Sequence, residues 1–355
     1  MTVSNLAHLL FFADAGSVHT RRWVGAMVER GWRCTVASRQ AHEIPGAEVI
    51  ALNTPDGRLP WFAAVPRVRA LVRSLAPDLV HGHYVTSYGF WAACAAQGRP
   101  LVLSAWGSDI LVTPRRSRLA HALTGWTLRR ADLITADSQD MLDAIGAWRP
   151  RAPVRQILWG ADTDKFRPQP RAVRPLRIVS LRNWEPLYQI DVLLRALALL
   201  DERAPGLAPE LHLLGGGPDE AALRALGEGL GLSPRLHWHG RVPEDRLAEV
   251  VRQAHLSVSV PLSDATSVSV LESMAAGLAM VVSDLPANRQ WIDDRGGRIV
   301  PVANAPALAQ ALQSLLGDPQ ALESMGRHNR QRVHPEAARA TQMDRMDHLY
   351  RGLLR

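Results

Sequence analysis

Lysine is almost missing from this chain. Its 355 residues include 41 lysines and arginines, yet Lys165 is the one lysine. A high-GC coding bias accounts for that preference, while the formal charge of +7 still favours anionic partners. The arginines are dispersed, and no basic stripe with interleaved aromatics occurs, which argues against nucleic acid as a partner. Cysteine is scarce too: Cys34 and Cys94 sit in apolar stretches and read as small buried hydrophobes, in keeping with a reducing cytoplasm. The longest apolar runs, such as Leu278-Ala279-Met280-Val281-Val282, fall far short of the roughly 20 residues of a membrane span. No basic segment precedes Leu9-Leu10-Phe11-Phe12, and Asp14 follows at once, so no signal peptide is indicated. Internal repeats, low-complexity tracts and metal-binding Cys/His clusters are absent from the pattern. Neither Gly16 nor Gly215-Gly216-Gly217-Pro218 completes a dinucleotide fingerprint.

What is present is an ordinary globular composition, 47% hydrophobic and 21% charged, at a length comfortable for two domains. Short apolar runs alternate with amphipathic stretches. Leu6–Phe12, Cys34–Ala37, Asp78–His81, Leu101–Ser104, Leu133–Ala136 and Val154–Leu158 read as strands of a first half. Ile178–Leu181, Leu211–Leu214, Leu236–Trp238, Leu256–Val260, Met280–Ser283 and Gly297–Val300 read as strands of a second. The proline-rich stretch Gln169-Pro170-Arg171-Ala172-Val173-Arg174-Pro175 reads as the linker between them, and Pro335–Leu354 as the last helix. Such βαβ alternation predicts α/β architecture: two doubly wound parallel sheets, with ligands at the C-terminal ends of the strands.

The richest chemistry lies in Ser263-Asp264-Ala265-Thr266-Ser267-Val268-Ser269-Val270-Leu271-Glu272, where two carboxylates eight positions apart flank a hydroxyl-rich turn entering a helix. A helix starting near Val268 directs its first N–H groups and positive dipole end at that turn, which suits a phosphate. Glu272 also has a purely structural reading, because Ser269-x-x-Glu272 before an apolar run is a capping box. Asp14-Ala15-Gly16-Ser17-Val18-His19 opens the first helix; Gly16 lets a ligand approach the backbone, whereas Ser17 equally reads as an N-cap. Asp78-Leu79-Val80-His81-Gly82-His83 ends a strand on two histidines sharing one face, with no third metal ligand nearby. His83 is expected in the loop beyond that strand. Trp106-Gly107-Ser108-Asp109 can offer an aromatic plane to a sugar or simply pack its loop. Arg182 reads either as a surface ion-pair residue or as an anion ligand.

The stretch from Asp264 to Glu272 resembles the acidic-x7-acidic motif of the family 4 retaining glycosyltransferases, which usually carry glutamate at both ends. The resemblance is clearest over residues 155–300 and covers nearly the whole chain. It implies the GT-B fold: two tandem Rossmann-like domains, 1–165 and 166–335, facing a cleft, with a helix over 336–355 returning to the first. It also implies that His83, Asp264 and Arg182 serve catalysis, His83 and Asp264 by meeting the transferred sugar. On the donor side it places Gly16, Ser17, Arg182, Tyr188, Gly215, Ser267, Val268 and Ser269 around the diphosphate, Glu272 on the ribose, and Arg241 and Val242 at the base. His19, Trp106 and Asp109 fall on the acceptor side. Two positions depart from the family: Asp264 is one methylene shorter than the usual glutamate, and Tyr188 stands where a lysine is expected.

The expected activity is retaining, metal-independent transfer of a sugar from a nucleotide diphosphate sugar to a hydroxyl acceptor, with no cofactor beyond the donor. Arg182, the Ser267–Ser269 amides and the Gly16 loop would stabilise the departing diphosphate. A nucleotide-sugar epimerase of the same architecture, or a non-catalytic sugar-nucleotide-binding subunit, are the alternatives. Arg21-Arg22, Arg67, Arg69, Arg73, Arg115-Arg116, Arg118 and Arg129-Arg130 accumulate in the first half. They point either to a lipid-linked or anionic acceptor met at the inner face of the membrane by a cytoplasmic protein, or to a solvated arginine-biased surface.

Overall fold

The computed structural model describes residues 6–55 and 57–355. Two compact units are present: one runs to Trp159 and takes in Ala340–Arg355, and the other is Gly160–Arg339.

In the first unit β1 (His8–Phe12), β2 (Arg33–Ser38), β3 (Glu48–Ala51), β4 (Leu79–His83), β5 (Leu101–Ser104), β6 (Leu133–Ala136) and β7 (Val154–Gln156) form one sheet in the order β3-β2-β1-β4-β5-β6-β7. Every pairing is parallel. Leu9, Leu10, Phe11 and Phe12 are all fully buried, as an uninterrupted apolar run must be when helices cover both faces of a sheet. The strand order reverses between β1 and β4, and a crevice for ligands lies beyond the carboxyl ends of strands at such a point. Gly16 follows β1 and His83 ends β4, so the topology brings them to the same end of the sheet.

The second unit repeats the logic with β8 (Arg177–Ser180), β9 (Glu210–Leu214), β10 (Leu236–Gly240), β11 (Leu256–Ser259), β12 (Ala279–Ser283) and β13 (Gly297–Val300), ordered β10-β9-β8-β11-β12-β13. Its core joins Leu193, Leu197 and Leu200 of the helix Ile190–Arg203 to Ile178, Leu211, Leu256 and Val281 of the sheet. Here the reversal falls between β8 and β11. Arg182 lies just past β8 and Asp264 just past β11, which is why residues 82 apart in sequence meet.

Several expectations need correction. β3 is absent from the sequence reading: its four residues are partly or fully exposed, so they show neither a buried run nor strict alternation. β4 extends through His83, which is therefore a strand residue and not part of a loop. The units change at Trp159–Gly160 and Arg339–Ala340, not at 165 and 335. The proline-rich stretch lies inside the second unit, where Arg171 donates to the carbonyls of Arg252 and Ala276. Pro335 does not open the last helix. It sits in the final turn of the helix Pro319–Ala337, and after the break at Ala338 the helix Arg339–Leu353 follows. That last helix buries Gln342, Met343, Met346 and Tyr350, and the Trp23 Nε1–H donates to the Tyr350 hydroxyl (3.0 Å).

Candidate active site

In the second unit the site is built around one guanidinium. Arg182 is 8% exposed; its Nη1 donates to the hydroxyls of Ser267 and Ser269, and its Nη2 to Asp264 Oδ2 at 2.6 Å. The Tyr188 ring covers one face, 4.4 Å from the guanidinium carbon. Burial, with the Asp264 and Glu185 carboxylates, raises the Tyr188 phenol against the opposing Arg182 charge, so the ring stays neutral. Tyr188 thus supplies a π face where the family resemblance predicts a second cation. The fork suits arginine because only a planar guanidinium satisfies a carboxylate and two hydroxyls from fixed directions. Arg182 Nε is buried without a partner among the described residues.

The helix Val268–Ala275 begins where the sequence places it, with Ser267 as its N-cap residue. The Ser267 hydroxyl makes no capping bond and instead meets Ser269 (2.8 Å) and Arg182. Ser269 is the second helical residue, so the capping-box reading of Ser269 and Glu272 does not hold: the cap position belongs to Ser267. Glu272 is buried one turn further in. Asp264 spends one oxygen on Arg182 and the other on the Ala265 N–H.

Gly215 admits no side chain, because a Cβ there would lie 2.3 Å from the Arg182 carbonyl oxygen. Its role is to let the loop after β9 press against the Arg182 backbone. Arg241 is exposed and packs along Gly216, and Val242 is half-buried beside it.

In the first unit Ser17 caps the helix Val18–Glu29 through the His19 N–H (3.2 Å). The Gly16 N–H is held by Asp14 Oδ1 (2.9 Å) and the Ser17 N–H by the Asp14 carbonyl, so both amides are engaged inside the turn. His83 is 1% exposed and boxed by Phe11, Trp23, His81, Trp106 and Trp159 at centroid distances of 4.5–5.8 Å. Neither of its ring nitrogens, nor His19 Nδ1 nor Trp106 Nε1, has a partner among the described residues. Burial, helped by the His19 imidazole, pushes His83 down to about 3; burial and Arg22 push His19 down to about 4.

His81 is spoken for. Its Nδ1 lies 2.6 Å from the Tyr350 hydroxyl, its Nε2 2.8 Å from Ser104 Oγ, and Ser104 reaches Thr135 at 2.6 Å. Since the Trp23 indole can only donate, Tyr350 accepts from it and donates to His81, which leaves the His81 proton on Nε2. Asp109 is another correction. It is fully buried, and its carboxylate accepts the N–H groups of Val85 (2.7 Å), Trp106 (2.9 Å) and Gly107 (3.0 Å), so it shapes the loop instead of facing an acceptor. Burial outweighs those bonds and raises it to about 6.

Trp23 and Trp159, which wall His83, were not singled out from sequence; nothing but aromatic character marks them. Nor was the grouping of Glu210, His212 and His237, whose donor atoms lie within 4.8 Å of one another. Its faint trace is the alternation of Glu210-x-His212 and His237-x-His239 in strands that pair side by side.

A glycosyl transferase 4-like family model matches residues 8–138, and a glycosyl transferases group 1 model matches residues 162–332. The D-inositol 3-phosphate glycosyltransferase of Nocardia farcinica is 28% identical over 307 residues, 77% of this chain and 66% of that protein. The phosphatidyl-myo-inositol mannosyltransferase of Mycolicibacterium smegmatis is 32% identical over 176 residues, 49% of this chain and 44% of that protein. The matches thus span two thirds or less of those relatives' length. Among solved structures, a sucrose-phosphate synthase from Thermosynechococcus elongatus gives a TM-score of 0.84 at 18% identity, covering 98% of this chain and 99% of its own. Anabaena HepE in complex with UDP gives 0.81 at 16% identity, covering 98% and 100%. At such identities the likeness shows the fold, which is GT-B. The glycosyl transferase 4-like match falls on the first unit and the group 1 match on the second, so that between them the two models span most of the chain and identify it as a GT4-type glycosyltransferase.

Proposed function

We propose that this chain is a retaining glycosyltransferase that moves a sugar from a nucleotide diphosphate sugar to a hydroxyl of a lipid-linked or anionic acceptor, without a divalent metal in the transfer step. The observation that carries the reading is the Arg182 cluster at the start of the helix Val268–Ala275. One guanidinium, two hydroxyls and a helix N-terminus converge where a departing diphosphate gathers negative charge. Asp264 holds the guanidinium in place, and Glu272, buried one turn inside, takes the ribose. The unpartnered nitrogens of neutral His83 and His19 suit sugar hydroxyls, which donate and accept at once.

The acceptor class rests on two further features. The relatives' names include an inositol phosphate and a phosphatidyl-inositol acceptor, both anionic polyols. The first unit also carries a cavity of about 320 Å³ lined by Trp61, Phe62, Phe90, Leu119, Leu123 and Thr127, of which Leu119 is 62% exposed. Arg115, Arg116 and Arg118 lie beside it in sequence. No helix among the described residues is long and apolar enough to cross a membrane.

The test is incubation with labelled UDP- and GDP-sugars, with phosphatidylinositol vesicles or with soluble inositol phosphate, in the presence of EDTA. The expected result is a glycosylated acceptor whose anomeric configuration, read by NMR, matches the donor. Inversion, loss of transfer in EDTA restored by magnesium or manganese, or epimerised donor without transfer would overturn the corresponding part.

A further inference from the structure

The outer strand pair of the second unit carries a second constellation, remote in role from the Arg182 cluster. β10 is the edge strand and, among the described residues, pairs with β9 alone, in a parallel register that sets His237 directly beside His212. Glu210 precedes His212 by two residues and so shares its face. The register shifts between Trp238 and Gly240, and with that irregularity His239 reaches the same group. The His212 and His237 rings stack at 4.4 Å and 14°, and the His212 and His239 rings at 5.3 Å and 17°.

The donor atoms converge. His212 Nε2 is 3.5 Å from Glu210 Oε2, and His237 Nε2 is 3.9 Å from Glu210 Oε1. Zinc bonds of about 2.0–2.1 Å in a tetrahedron separate ligand atoms by about 3.3 Å, and the ligand atoms of the three residues already lie within 4.8 Å of one another. Both Nε2 atoms are buried and lack a hydrogen-bond partner among the described residues. An unsatisfied buried nitrogen is costly, and two of them facing one carboxylate form a donor set that an ion can join.

We propose that Glu210, His212 and His237 bind one divalent transition-metal ion of the zinc class, with solvent completing the shell. The surroundings already have the arrangement such an ion needs. His212 Nδ1 lies 3.0 Å from His239 Nε2, so a metal on Nε2 leaves the Nδ1–H to donate to His239 and fixes the tautomer. Arg177 Nε donates to Glu210 Oε2 (3.1 Å), orienting the carboxylate while competing with the ion for its charge. Arg177 also reaches Gln253, which steadies the guanidinium that holds the carboxylate. The preference is for zinc, cobalt or nickel over magnesium or calcium, because two of the three donors are imidazoles. An ion here would rivet the edge strand to its neighbour without touching Arg182.

The experiment uses the full chain without a histidine tag, freed of metal by dialysis against chelator. Titration with ZnCl2 by calorimetry should give one ion per chain, and CoCl2 should give the intense visible bands of a four-coordinate ion. His212→Ala and His237→Ala should each weaken zinc by more than about tenfold, whereas His348→Ala, on the exposed face of the last helix, should not. Should the strand variants misfold, imidazole NMR of the unmodified chain decides: zinc must shift the Nε2 resonances of His212 and His237. Absence of stoichiometric binding, binding unchanged in both variants, or shifts at other histidines alone would overturn the proposal.

Discussion

One guanidinium in the second unit answers to a carboxylate, two hydroxyls and an aromatic face. Lysine at position 182 would keep the charge but could not hold the fork, since an ammonium is a single point of donation on a flexible stem. Arg182→Lys is therefore expected to lower kcat by about 10²–10³-fold, the range for removing a fixed donor to developing charge, with circular dichroism unchanged. Activity within about threefold of the parent would show that the arginine is an ordinary ion-pair residue. Arg182 was legible from its place beyond a strand end, and Asp264 and Ser267 from the paired carboxylates around a hydroxyl-rich turn, but their mutual bonding was not. Pairwise contact across 82 residues depends on strand order, which a single sequence does not display. Asp109 was misread for a related reason: a carboxylate in a loop looks like a ligand until the loop is seen folding over it.

Among the elements, the helix Val268–Ala275 was the most legible and β3 the least. The helix announces its start by a run of small hydroxyl residues before an apolar stretch, whereas a short edge strand with exposed side chains carries no periodic signal. The position of Ser269 inside the helix frees Glu272 from a capping-box role and separates its two readings by experiment. Glu272→Gln should raise the Kd of the nucleotide sugar about tenfold, the worth of one charged hydrogen bond, while Tm moves by no more than about 2 °C. A fall in Tm with donor affinity intact would return Glu272 to a structural role. β4 teaches a further point about boundaries. His81 and His83 share a face, yet the first is locked by Tyr350 and Ser104 and the second is surrounded by rings, a distinction made by neighbours and not by spacing.

For the molecule as a whole, buried imidazoles make stability depend on pH. His83 and His19 stand at about 3 and about 4 in the fold, with burial the main cause in both, and burial holds His81 well below its usual range. The unfolded chain regains ordinary histidines near 6.5. Between that value and the folded ones it binds protons that the native state refuses, so stability is fully present above about pH 6.5 and is lost as pH falls. Each fully buried histidine should remove on the order of 1.4 kcal/mol per pH unit in that window. Urea midpoints at pH 7, 6 and 5 should fall in sequence, and His83→Gln should flatten the slope; a midpoint constant from pH 7 to 5 would contradict this.

The first unit is drawn from two separate lengths of chain, and the Tyr350 hydroxyl that fixes the His81 proton belongs to the later one. On the ribosome, Trp23 and His81 are therefore made long before their partner, while every residue from Gly160 to Arg339 is already available when residue 340 is added. The half of the molecule that is translated first is the half whose hydrogen-bond network can close only last.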